Sequence, residues 1–334
     1  MRPLVTVVIA AYNAEKYIGE TLASILRQTW EKREIIVVDD GSTDATPRII
    51  KEAGGGIAYI RQENSGNCAS PRNLGLRQAR GAYVNFFDAD DIMHPRKIED
   101  QVRALDAHPD AAMVIGDYEN FSDDRTHPSH FTTCPLLSRL LDQYGVGRGE
   151  SILLQPPVTT TTLLRENFGS ACSPLYATHV VRDLGGYDEE LSACEDFLLN
   201  YRIAAQAPTV VLNAPGYRRR LHAENMTGNF QRMMTNYIRS REKLLRMESS
   251  PLNRRLLKNL LASYHLNFAA YNPQENENRQ QFRQAMKSLK YLSSFDRRQG
   301  VLSCKLMVKI LLNTLTRQRG WRLFVKNEAP QINR

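Results

Sequence analysis

The 334-residue sequence is poor in cysteine, and the five present (Cys68, Cys134, Cys172, Cys194 and Cys304) are scattered without a CxxC pair. That spacing argues against a zinc cluster and a disulfide framework, and it fits a reducing compartment. No run of about 18 uncharged apolar residues occurs, so no membrane-spanning helix is expected. A strand pattern begins directly after Met1-Arg2-Pro3. This leaves no room for a signal peptide and makes a cytoplasmic location the expectation. Glycine is missing where a dinucleotide enzyme needs it. The turn after the first strand is Tyr12-Asn13-Ala14-Glu15-Lys16 rather than GxGxxG, and no GxxxxGKS or GxxxxGKT loop is found. Nucleotide phosphates, if bound, must be held by a metal and by side chains.

What is present divides by charge. Residues 231–334 carry 21 Lys and Arg against 6 Asp and Glu, a balance of +15, in a chain of net charge +8. Residues 1–230 carry the remaining 23 and 30, a balance of −7. An acidic part followed by a basic tail suggests two jobs, and the expected organisation is a catalytic domain over 1–230 and a basic helical region over 231–334. A hydrophobic content of 42% over this length is enough for a large core.

Val5 to Ala11 reads as a buried strand, and the helical stretch Ala14 to Thr29 places Ile18, Leu22, Ile25 and Leu26 on one face, with Asn13 as its N-cap. Glu34 to Val38 is a second strand. Asp39-Asp40-Gly41-Ser42-Thr43-Asp44 then supplies a turn and a cap for the helix holding Ile49 and Ile50. Ile57–Ile60 and Tyr83–Phe87 read as strands, and Ser70–Arg80 and Pro95–His108 as helices. Strands alternating with helices predict an α/β fold with a parallel sheet covered on both faces. In such sheets ligands sit outside the carboxyl ends of the strands.

The strand run Tyr83-Val84-Asn85-Phe86-Phe87-Asp88 continues into Ala89-Asp90-Asp91. Carboxylates this close repel one another and resist desolvation, and a divalent cation would relieve both. The alternative is that solvated acids merely cap a turn. Tyr12, Asp39 and Asp88 all fall at strand carboxyl ends, so three separated signals converge on one edge and favour a site.

Four stretches in order carry a resemblance: Val7 to Asn13, Ile36 to Asp44, Ala69-Ser70-Pro71-Arg72-Asn73-Leu74-Gly75-Leu76, and Phe87 to Asp91. They resemble the nucleotide-sugar-binding half of the family 2 glycosyltransferases, whose GT-A fold is a Rossmann-type, mostly parallel sheet flanked by helices. Gly185-Gly186-Tyr187-Asp188-Glu189 followed by Glu195-Asp196 resembles the acceptor-side signature of that family. Two departures stand out: Ala10 where the family often has proline, and Pro71 just before the Arg-Asn pair.

The resemblance implies a metal-dependent, inverting transfer of a sugar from a nucleoside diphosphate, a UDP-sugar being favoured, to a hydroxyl of a glycan or lipid-linked acceptor. It implies Mn2+ or Mg2+ held by Asp90, Asp88 and His222, with Asp91 in support. Ala10, Tyr12, Asp39, Arg72, Asp88, Ala89 and Arg218 become the expected donor-binding residues. Tyr12 would stack on the base, Asp39 would accept from a uracil N–H, and one of Arg218, Arg219 and Arg220 would hold the diphosphate. Asp196 becomes the expected general base with Glu195 beside it, at the start of an amphipathic helix. His127 and His130 have metal-like spacing but lie in a polar stretch and read as surface residues.

Helical periodicity continues from Met233, with Tyr237, Leu244, Leu245, Leu256, Leu257, Leu260 and Leu261, and again over Val301 to Leu315. Arg317, Arg319, Trp321, Arg322 and Lys326 follow. Cationic amphipathic helices with an aromatic can lie on an anionic membrane surface, and packing on the catalytic part is the alternative. No nucleic-acid-binding motif accompanies the charge, so no nucleic acid is expected. A non-catalytic scaffold attached through this tail is the competing function, and the acidic constellation disfavours it.

Overall fold

The computed structural model describes residues 2–122, 125–270, 284, 286–288, 290 and 291. The chain divides into two compact units, Met1–Leu244 and Leu245–Arg334. The expected helix over Val301 to Leu315, and the basic residues after it, lie outside the described residues.

In the first unit, β1 (Val5–Ala11), α1 (Ile18–Leu26), β2 (Arg33–Asp39), α2 (Thr46–Glu52), β3 (Ala58–Arg61), α3 (Ala69–Gln78) and β4 (Tyr83–Asp88) alternate as the sequence predicts. β3, β2, β1 and β4 lie side by side and parallel, with Ala11 opposite Asp39 and Ala10 opposite Asp88. Val7, Val8, Ile9, Val37 and Val38 are fully buried. Their continuous apolar run follows from burial of both sheet faces. Gly75 of α3 lies so close to β1 that a Cβ there would overlap Val8.

Asn13 does not cap α1, which begins only at Ile18 with Tyr17 preceding it. Instead Asn13 adopts a φ of 46° and its Oδ1 accepts from the Thr43 N–H at 2.8 Å, turning the chain at the end of β1 and tying it to the loop after β2. An amide side chain tolerates this left-handed conformation better than most residues do.

The later part departs from a purely parallel sheet. β5 (Ile92–Met93), α4 (Lys97–Asp106), β6 (Met113–Ser122) and β7 (Arg125–Ser129) come first. A 3₁₀ turn (His130–Thr133), α5 (Pro135–Gln143), β8 (Ser151–Leu154) and α6 (Pro156–Arg165) follow. Then come β9 (Pro174–Ala177), α7 (Thr178–Asp183), α8 (Glu195–Ala204) and β10 (Thr209–Arg220). β9 runs antiparallel between β4 and β6, and β10 is parallel to β6. β5 and β8 pair antiparallel with β10, and β7 with β6. The sheet is therefore mixed. α8 is not amphipathic as expected, because Phe197, Leu198, Leu199, Asn200, Tyr201 and Ile203 are all buried. A helix enclosed on every side has no free polar stripe. Next is α9 (Phe230–Met247). In the second unit α10 (Pro251–Ala270) buries Leu257, Leu261 and Leu266.

Candidate active site

A cavity of about 540 Å³ lies within the first unit at the carboxyl ends of β1 and β4. Of the expected site residues, Ala10, Tyr12, Arg72, Asp88, Ala89, Asp90, Glu195, Asp196 and His222 line it. Tyr12 is exposed at the strand end. Asp39 and Arg218 do not line the cavity.

Arg72 joins the two walls. Its guanidinium donates to Asp88 Oδ1 at 2.6 Å and to Glu195 Oε1 at 2.6 Å, and it lies 5.3 Å from the centre of the Tyr187 ring. The side chain of the next residue fixes the same junction. Asn73 Nδ2 donates to the Tyr187 carbonyl at 2.9 Å and to Glu189 Oε1 at 2.8 Å, and Asn73 Oδ1 accepts from the Tyr187 N–H at 2.8 Å. Gly186, with a φ of +76°, stands so near that a Cβ would overlap Asn73 Oδ1. The Arg-Asn pair of α3 and the Gly-Gly-Tyr-Asp-Glu segment are thus two sides of one joint.

Burial pushes the Glu195 carboxyl up, which Arg72 partly offsets, and Glu195 Oε2 is buried without a hydrogen-bond partner. Burial likewise raises Asp196, against Arg72 and the Phe197 N–H, which donates to Asp196 Oδ1 at 2.7 Å. A carboxylate held up in this way accepts a proton more readily than one in water.

On the acidic edge, His222 Nε2 lies 3.0 Å from Asp90 Oδ2 and 3.0 Å from Asn225 Nδ2. Burial and then the neighbouring Asp88 charge raise Asp90, while His222 opposes them. Asp91 is almost wholly buried and takes a supporting place. Its Oδ1 accepts from the Arg220 N–H at 2.9 Å, and its Oδ2 accepts from the Cys172 thiol at 3.4 Å.

Two donor sets can be weighed for a cation. Asp88, Asp91 and Cys172 bring one ligand atom each within 4.8 Å of one another. Burial raises the Cys172 thiol well above its ordinary value, and a protonated thiol suits Mn2+ or Mg2+ poorly. Asp88, Asp90 and His222 offer oxygen and imidazole donors at the cavity wall, and His222 Nδ1 is buried without a partner. The second set has the donor types that a hard divalent ion takes, but among the described residues only the first set brings its ligand atoms within 4.8 Å of one another.

Asp39, expected at the base, is not among the residues that line the cavity. It is fully buried, with Oδ1 accepting from the Ser42 N–H at 2.8 Å and Oδ2 from the Tyr59 hydroxyl at 2.7 Å, and Arg61 is 3.3 Å away. Each oxygen already has a protein donor. Asp40, one residue on, lines the cavity instead.

Strand alternation explains the second departure. Arg218 and Arg220 share a face of β10 and lie over the Phe121 ring at 4.3 and 4.6 Å. Arg219 lies on the alternate face of the strand and lines the cavity, whereas Arg218 does not. His130 is not a plain surface residue either, because it stacks on Tyr118 at 4.5 Å and contacts the Asn167 carbonyl at 3.0 Å. Tyr118, Cys172 and Asp40 were not singled out in the sequence, and Arg219 was named only as one of three adjacent arginines. Only the position of Arg219 carried a signal, through the period of two on a strand.

The pattern of glycosyl transferase family 2 matches residues 6–164. An uncharacterised glycosyltransferase of Rickettsia felis is 28% identical over 266 residues, which are 75% of this chain and 41% of the relative; the chain thus spans less than half of that relative's length. Among solved structures, Staphylococcus aureus TarS 1–349 with UDP-GlcNAc has a TM-score of 0.69 at 19% identity, covering 98% of this chain and 94% of its own. A mannosyltransferase of Pyrobaculum calidifontis with GDP-Man and Mn2+ has a TM-score of 0.56 at 18% identity, covering 96% and 83%. At these identities the two likenesses establish the GT-A fold.

Proposed function

Since residues 6–164 belong to glycosyl transferase family 2, we propose that the chain moves a sugar from a nucleoside diphosphate, preferentially UDP, to a hydroxyl of a glycan or lipid-linked acceptor. The observation that carries this reading is the Asp88–Arg72–Glu195 bridge, which holds a donor-type acidic edge and a base-type carboxylate pair on facing walls of one cavity. UDP is favoured by the UDP-GlcNAc held in TarS. Asp39 contributes by accepting from a uracil N–H beside the donors it already has in Ser42 and Tyr59.

In this mechanism Asp88, Asp90 and His222 would hold a divalent ion, Mn2+ or Mg2+. When bound, the ion neutralises charge on the departing diphosphate. Arg219 adds a fixed positive charge on the same side. Asp196 takes the proton of the acceptor hydroxyl as it attacks, and Glu195, paired with Arg72, fixes the start of α8 and hence the aim of Asp196. Direct attack by the acceptor inverts the anomeric centre. The first unit, Met1–Leu244, which includes the cavity-lining Arg232 and Tyr237 of α9, serves as the catalytic domain, and the basic region that follows attaches it peripherally to an anionic membrane face. Among the described residues no helix is long and apolar enough to cross a membrane.

Titration calorimetry with UDP, with and without Mn2+, tests the donor half. Mn2+-dependent UDP binding is expected for the wild type and is lost in Asp90→Asn. Wild-type protein indifferent to UDP and to GDP under both conditions would end the reading.

A further inference from the structure

The wall contributed by β6 holds a hydroxyl that the mechanism above does not use. Tyr118 pairs in register with Tyr217 of β10, and its ring is clamped between His130 at 4.5 Å and 21° and Tyr217 at 5.0 Å and 24°. With both faces covered, the ring cannot swing away. The Tyr217 hydroxyl is taken by Ser170 Oγ at 2.5 Å. The Tyr118 hydroxyl makes no hydrogen bond among the described residues, although Tyr118 is only 7% exposed and lines the cavity. Its hydroxyl is open to the cavity rather than sealed among unpartnered buried atoms, so a ligand there can engage a fixed donor that phenylalanine, which would fill the stack equally well, could not supply.

The position of this hydroxyl identifies the ligand group. It shares the cavity with the Arg219 guanidinium and the Asp196 carboxylate, and burial keeps the phenol protonated. On the donor reading above, on which this step rests, the diphosphate lies toward Asp90 and Arg219, and attack comes from the Asp196 side. The sugar ring joined to that diphosphate must therefore lie between Arg219 and Asp196. We propose that the Tyr118 hydroxyl binds a hydroxyl of the donor sugar and so helps to select which sugar is transferred.

Tyr118→Phe keeps the ring and both stacks, so an unchanged melting temperature is expected. Affinities of the wild type and the variant are measured by calorimetry with Mn2+ for UDP, UDP-GlcNAc, UDP-glucose, UDP-galactose, GDP and GDP-mannose. The proposal predicts unchanged affinity for the free nucleoside diphosphate. The tightest sugar nucleotide weakens about three- to tenfold, the loss of one neutral hydrogen bond. An equal ratio of sugar-nucleotide to free-diphosphate affinity in the two proteins overturns the proposal alone, as does a parallel loss for both ligands. Wild-type protein that binds none of the six removes the donor reading and this proposal together.

Discussion

The strands β3, β2, β1 and β4 are all parallel to one another, and β1, β2 and β3 are each followed directly by a helix. In β9, β6, β10 and β5 directions mix, and β10 shows register shifts around Pro215. Both regions furnish the cavity. The first gives it the acids Asp88 and Asp90, whose place follows from the strand ending there. The second gives it Tyr118, Glu195, Asp196 and Arg219, whose place depends on packing between segments far apart in sequence. A regular repeat fixes where a strand ends, and an irregular sheet fixes only which neighbour a side chain meets.

The most severe way to break the link between the two regions is to remove Arg72. Arg72→Met leaves Glu195 buried without its cation, which should cost about 3–5 kcal/mol as for other broken buried pairs. Chemical denaturation measures it. The double variant Arg72→Met, Glu195→Gln should be less destabilised than the two single losses added, since neither then strands a charge. Strict additivity would mean that the bridge does not couple the two walls.

A smaller effect separates neighbouring residues on one strand. Arg219→Ala should weaken UDP binding by about tenfold, the scale of one charge-assisted contact to phosphate. Arg218→Ala should leave UDP binding near the wild-type value, because Arg218 faces Phe121. Calorimetry on the pair checks the alternation. The reverse order would restore Arg218 as the diphosphate ligand.

The smallest effect lies beneath the irregular half, where Lys97 of α4 packs beside Gly216 and donates to Gln101 Oε1 at 2.8 Å. Burial lowers its pKa from 10.5 to about 7. Between those values the unfolded chain holds a proton that the folded chain lacks, so this group makes stability rise as pH rises. Below pH 7 both states carry the charge and the folded state keeps a buried cation. Lys97→Met should therefore raise the melting temperature at pH 6 and flatten its increase above pH 7. A pH series of thermal melts on both proteins reads the difference, and identical slopes would contradict the shift.

These contrasts explain what was legible in the sequence. The alternating elements through β4, the acidic strand end and the Glu195-Asp196 pair were readable because short-range pattern and motif order determine them. The partners of Asp39, namely Ser42, Tyr59 and Arg61, were not legible because they come from a turn and from β3, which no local pattern of β2 reports. Asn13 failed as a cap because strand-end geometry outweighed helix capping. Tyr118 was invisible, since an aromatic in an apolar run reads as core until its two stacking partners and its free hydroxyl are seen together.

The account turns on a donor edge and a base wall acting separately in one cavity, and Asp196→Asn tests that division most directly. With the tightest-binding sugar nucleotide as donor and Mn2+ present, UDP release and UDP affinity are measured on the same preparation. Release should fall about a hundredfold or more while UDP affinity is unchanged. Release near the wild-type rate, or loss of UDP binding along with turnover, would contradict the placement of Asp196 as the base facing the donor.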